Sequence, residues 1–126
     1  MYYKYLIIYI LEVKALNYVD ILYNVNEIIV DLGLEKSYEQ FSCDLNDYLL
    51  KKYGEYYLGL QLYKSNEKQN HFYVVASYDN DFGLDWIIGD IQKDISNIYD
   101  CKWGNSVKRI SVFSFTSATR FLPPLY

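Results

Sequence analysis

The groups in this sequence able to do acid–base, nucleophilic or metal chemistry are one histidine, two cysteines and sixteen carboxylates. Their spacing argues against each chemistry in turn. His71 opens a strand-like run beside the polar turn Ser65 to Asn70, with no serine or cysteine at a motif spacing, so no nucleophile–base–acid triad can be drawn. Cys43 and Cys101 stand far apart without a CxxC pair, which suits neither a zinc knuckle nor a disulfide framework; two reduced, partly buried thiols are expected. The carboxylates form no HExxH, EF-hand or two-metal spacing, and Gly54 and Gly59 lack the Gly-Lys-Ser/Thr ending of a phosphate loop. The expectation is a chain that is not an enzyme and uses no cofactor or metal.

Aromatic residues offer a different chemistry, that of recognition. Sixteen tyrosines, six phenylalanines and two tryptophans exceed what a small core needs. Tyrosine combines a large, stiff contact area with a polar tip and so suits a surface that another molecule covers. Trp86 falls opposite the isoleucine stripe of its helix, near Asp90, and the acids Asp79, Asp81, Asp85, Asp90, Asp94 and Asp100 face a single base, Lys93, over the same stretch. An outward tryptophan flanked by carboxylates is a hot-spot pattern, so Asp79, Asp81, Asp85, Trp86 and Asp90 form the candidate partner-binding set. The alternatives are a solvated helix face and a Trp86 covered by residues 34–54. The net charge of −4 argues against direct binding of a nucleic-acid backbone and favours a basic protein partner. The last 26 residues reverse the sign, with Lys102, Lys108, Arg109 and Arg120 and no acid.

The elements that would position these residues follow from periodicity. Residues 2–13 alternate with both sides apolar, as in a central strand. Tyr18, Leu22, Val25, Ile29 and Leu32 fall at helical spacing between Asn17 as N-cap and Gly33 as stop. Residues 34–54 read as an insertion with a short helical pattern near its end. Alternation returns over residues 56–63 and 71–78, a β-hairpin. Leu84, Ile87, Ile88, Ile91, Ile95 and Ile98 mark a helix over 83–99, and Val107 to Thr116 a last strand. The order predicts a single α+β domain, a four-stranded antiparallel sheet with two main helices on one face, in the ferredoxin-like βαββαβ plan with an insertion at 34–54.

In that plan the aliphatics Leu58, Leu60, Leu62, Val74, Ala76, Ile110 and Val112 meet the helices. Tyr5, Tyr57, Tyr63, Tyr73, Phe113 and Phe115 line the open face, as a partner or homodimer surface or beneath residues 34–54 and the tail. The apolar run Tyr5 to Leu11 is too short to span a bilayer and is followed by Glu12 with no cleavage site, so no membrane association and a reducing, cytoplasmic location are expected.

The stretch from Tyr56 through Asp81-Phe82-Gly83, and the tail Thr119-Arg120-Phe121-Leu122-Pro123-Pro124-Leu125, resemble parts of bacterial contact-dependent growth inhibition immunity proteins. The resemblance covers about half of the chain. It implies a small antidote that occludes the active site of a cognate toxin C-terminal domain, often a nuclease, without chemistry of its own. The competing expectation is a phage- or virus-encoded inhibitor of a nucleic-acid-guided nuclease, of anti-CRISPR type, using the same acids to imitate phosphates.

Overall fold

A computed structural model describes the backbone of residues 18–120 and the side chains of residues 20–116. The chain runs β1 (Tyr18–Val30), α1 (Glu35–Tyr53), β2 (Tyr57–Lys64), β3 (His71–Asp79), α2 (Leu84–Trp103), a single 3₁₀ turn (Gly104–Ser106) and β4 (Val107–Arg120). The four strands pair antiparallel in the order β2-β3-β1-β4. This is the expected α+β, ferredoxin-like architecture, reached through different residues in its first half.

Two assignments are corrected. Residues 18–30 form the central strand β1, where a helix between Asn17 and Gly33 was expected. Its two sides, Leu22, Asn24, Asn26, Ile28 and Val30 against Ile21, Tyr23, Val25, Glu27 and Ile29, both carry apolar residues, so apolar positions three and four apart arise without a helix. The β-branched and aromatic content and pairing on both edges decide for strand. Residues 34–54 are no insertion but contain the first covering helix, α1. Tyr38, Phe41, Leu45 and Leu49 give its buried stripe, and the buried polar residues Glu35 and Ser42 interrupt the pattern. The strand expected at residues 2–13 lies outside the described residues.

Both helices cover one face of the sheet. Their core joins Ile28 and Val30 of β1, Tyr57 of β2, Phe72, Val74, Ala76 and Tyr78 of β3, and Val107 of β4 to the stripes of α1 and α2. Along α2 the buried positions Leu84, Ile91, Ile95, Tyr99 and Trp103 keep helical spacing, and Gly104, at φ 55°, ends the helix with its N–H donating to the Asp100 carbonyl. Tyr38 is the centre of an aromatic group: its ring lies 5.3 Å from Phe72, 5.8 Å from Phe41 and 6.1 Å from Trp103, and its hydroxyl is 2.6 Å from that of Tyr99.

Irregularities in the ladders change which residues face the helices. A register shift between Tyr57 and Gly59 turns Tyr57 inward, where it is buried, and leaves Leu58 exposed. A second shift lies opposite Val25 and Asn26 in β1, and there Ile110 and Val112 are exposed, contrary to the expected inward placement. Ile110 pairs with Glu27 and so belongs to the open face. Tyr63, Tyr73, Phe113 and Phe115 are exposed, and Tyr23 stacks on Phe115 at 4.9 Å. Since α1 lies on the helix side, residues 34–54 do not cover this face. Tyr5 lies outside the described residues.

The β2 bulge is tied to α1 by one side chain. Asn46 Oδ1 accepts from the Tyr57 hydroxyl at 2.7 Å and from the Leu60 N–H at 3.1 Å. Asn46→Ala leaves both partly buried donors without that acceptor and is expected to cost about 1–2 kcal/mol, measured as a lowered urea midpoint at unchanged slope. An unshifted midpoint would mean that solvent replaces the amide fully. Just beyond Asn46, in the last turns of α1, Tyr48 and Tyr53 donate their hydroxyls to Asp94 Oδ2 of α2, both at 2.8 Å, and Lys52 Nζ donates at 3.1 Å. Burial pushes the Asp94 carboxyl up, but these three donors outweigh it and hold it below its ordinary range. The cluster ties the two helices to each other.

Candidate functional site

Beneath the helices the core is incomplete. A cavity of about 30 Å³, measured as space open to the centre of a water molecule, lies between the sheet and both helices. That is room for about two waters. Leu45 and Leu49 of α1 and Ile95 of α2 supply apolar wall, while Val74 and Ala76 of β3 and Leu60 of β2 supply the sheet side. The polar lining is Asn24 and Asn26 of β1, Tyr57, Tyr78, Gln92, Tyr99 and Arg109.

Inward-facing positions of β1 explain the two asparagines: the alternation that buries Ile28 and Val30 places Asn24 and Asn26 on the same side. Asn24 Oδ1 accepts from Ser114 Oγ at 2.9 Å. Arg109 reaches the cavity through the same alternation in β4, since it pairs with Ile28. Its Nη2 donates to Ser96 Oγ at 2.7 Å and its guanidinium lies 5.0 Å from the centre of the Tyr99 ring. The ion pairs among the described residues are Lys52–Asp94 and His71–Glu27, so no carboxylate there neutralises Arg109.

Three tyrosines line the cavity and two have hydroxyl partners, Tyr57 on Asn46 and Tyr99 on Tyr38. The Tyr78 hydroxyl is fully buried with no partner among the described residues. An orphaned buried donor is costly and calls for an explanation. Burial pushes the Tyr78 phenol up to about 12, with Arg109 pulling the other way, and burial likewise raises Tyr57 and Tyr99. All three remain neutral donors at physiological pH. Because these phenols ionise more readily once unfolded, their stabilising preference is complete below about pH 10 and is lost as pH rises toward the folded values. Alkaline titration monitored by tyrosinate absorbance and circular dichroism is expected to show ionisation and unfolding together; the three phenols titrating in an intact fold at ordinary values would refute this.

The residues singled out in the sequence lie elsewhere. Asp81, Asp85, Trp86 and Asp90 are exposed at the start of α2, and Asp79 is half-buried at the end of β3. Trp86 is 83% exposed and its neighbour Phe82 is 84% exposed, so α1 does not cover Trp86. Trp86 and Asp90, four residues apart, share a helix face, whereas Asp79 donates its backbone N–H to the Tyr56 carbonyl inside the fold. His71 Nδ1 sits 3.2 Å from Glu27 Oε2, away from the cavity. Cys43 and Cys101 are free, as expected, but exposed rather than partly buried. Among the described residues no group of three or more His, Cys, Asp or Glu side chains is placed to hold a metal ion, and no helix is long and apolar enough to cross a membrane.

No protein-family model and no curated protein sequence matches the chain. Solved structures do. A Bordetella bronchiseptica protein assigned as an antibiotic biosynthesis monooxygenase is similar at TM-score 0.56 and 13% identity, over 77% of this chain and 94% of that one. A Shewanella oneidensis protein is similar at TM-score 0.52 and 10% identity, over 80% of this chain and 93% of that one. A haem-degrading protein of Mycobacterium tuberculosis, with two haems in its active site, matches at TM-score 0.46 and 13% identity over 83% and 99% of the two chains. The first two likenesses show a shared fold. They also correct the expectation of a chain outside enzymology, since the Bordetella protein assigned as a monooxygenase has the same backbone plan.

Proposed function

We propose that this chain is a small enzyme of monooxygenase type that takes an aromatic compound into the space between its sheet and helices. The observation that carries the reading is the fully buried Tyr78 hydroxyl, without a partner among the described residues, on the wall of a cavity lined by rings, aliphatics and a few polar groups, in a fold shared with a protein assigned to that activity. Ring and aliphatic walls exclude bulk water, while Tyr78, Asn26 and Arg109 orient the bound molecule. A cytoplasmic location accords with two free thiols. The test is dioxygen uptake by the purified chain across a panel of phenols and hydroquinones. Protein-dependent uptake is expected, and Ala76→Leu, which fills the cavity from β3, should abolish it in a folded protein. Absence of uptake across the panel, or full activity in Ala76→Leu, would defeat the reading.

A second reading is favoured by the exposure of Phe82 and Trp86. Beside Asp81, Asp85 and Asp90 they form an acidic, aromatic projection suited to a basic protein such as a toxin C-terminal domain, the role the immunity-protein resemblance implies. Trp86→Ala combined with Asp90→Ala should weaken such a complex by a few kcal/mol. Unchanged affinity would remove this surface from the interface.

A further inference from the structure

The cavity carries an imbalance of charge as well as an orphaned donor. Arg109 is half-buried, and the partners described for it are a neutral hydroxyl and a ring. No acid lines the cavity, although the whole chain carries a net charge of −4. A half-buried guanidinium is ordinarily met by a carboxylate or phosphate, its planar fork matching two oxygens. Tyr78 adds a fully buried hydroxyl with nothing to donate to.

We propose that the cavity is an anion site, receiving the charged oxygen of an organic anion between the Arg109 guanidinium and the Tyr78 hydroxyl. Three ligand classes can be compared. A cation is repelled by Arg109. A neutral molecule satisfies Tyr78 but leaves the guanidinium uncompensated. An anionic oxygen answers both at once, and hydrogen bonds to a charged acceptor are roughly twice as strong as neutral ones. Asn26, 7% exposed and on the same wall, has an amide N–H able to donate to that oxygen. The cavity's limited size fits the charged oxygen and its carbon, and seating a whole ring requires its walls to part. The anion site stands independently of the monooxygenase reading.

The test uses para-nitrophenol, whose absorbance reports its ionisation, with para-nitrotoluene as the neutral analogue, titrated into the full chain. Bound para-nitrophenol should ionise at lower pH than the free dye. Arg109→Gln should abolish that shift and weaken binding of the anion about tenfold or more, leaving para-nitrotoluene unaffected. Arg109→Lys should retain part of the shift. Should Arg109→Gln fail the circular dichroism check for folding, Tyr78→Phe and Arg109→Lys carry the comparison, the first weakening the anion about tenfold or more, the second severalfold, and neither changing the neutral analogue. Failure of the folded wild type to bind para-nitrophenolate, equal affinity for the two probes, or a shift that survives Arg109→Gln would overturn the proposal. Arg109-dependent anion binding without dioxygen uptake would remove the monooxygenase reading and keep the anion site. Uptake with neutral substrates, unaffected by Arg109→Gln, would do the reverse.

Discussion

Tyr38→Ala is expected to cost about 3–5 kcal/mol, the range for truncating a large aromatic in a packed core. A domain of this size commonly has about 5–15 kcal/mol in total, so the variant should be marginally folded or unfolded at ordinary temperature. Tyr38 is fully buried among Phe41, Phe72, Tyr99 and Trp103, contributed by both helices and the sheet, so no single neighbour can close the void. Part of the cost is polar, and conservative variants separate it. Tyr38→Phe keeps the packing but leaves the Tyr99 hydroxyl buried without the partner now 2.6 Å away, for a loss of about 1–2 kcal/mol. Adding Tyr99→Phe removes the second hydroxyl too and should recover much of that loss, because deleting both partners of a buried hydrogen bond is nearly neutral. Urea denaturation of the four proteins gives the comparison. A double variant as destabilised as the sum of its parts would show that the hydroxyls act independently.

Elements with one buried face and one wet face were legible in the sequence, and elements without that contrast were not. The stripe of α2 and the β2–β3 hairpin have a clear period, and the structure places them at 84–103, 57–64 and 71–79. β1 sits between β3 and β4 with apolar residues on both sides, so its alternation was blurred into a helical spacing. α1 hid because Glu35 and Ser42 are buried polar residues within its stripe. The same error concealed the candidate site. On a helix, Asn24 belongs to the solvated side; on a central strand, Asn24 and Asn26 alternate with apolar residues and face the core. Two amides on the inner side of a central strand are a signal for a polar cavity, available once the period is assigned correctly. Arg109 was visible as one charge in a basic C-terminal stretch, but its place two residues from the buried Val107 and opposite the buried Ile28 depends on register. Trp86 was legible because nothing more than a helical wheel was needed to place it outside.

Tyr78→Phe is expected to move stability and binding in opposite directions. The variant removes a buried hydroxyl that has no partner, and relief of its desolvation cost should stabilise the fold. The opposing loss is the packing of one oxygen atom, a few contacts of about 0.1–0.2 kcal/mol each. Water in the cavity reduces the relief, so a net gain of about 1 kcal/mol is expected. Affinity for an anionic ligand should fall by about 1.5–3 kcal/mol, since the lost hydrogen bond is to a charged oxygen. A residue kept only for packing would lose stability on truncation and leave binding untouched. Thermal melts without ligand give the first sign, and the shift in melting temperature caused by saturating para-nitrophenolate gives the second. A less stable apo variant would show that the hydroxyl has a partner in the folded protein. An undiminished ligand-induced shift would show that it does not meet the ligand.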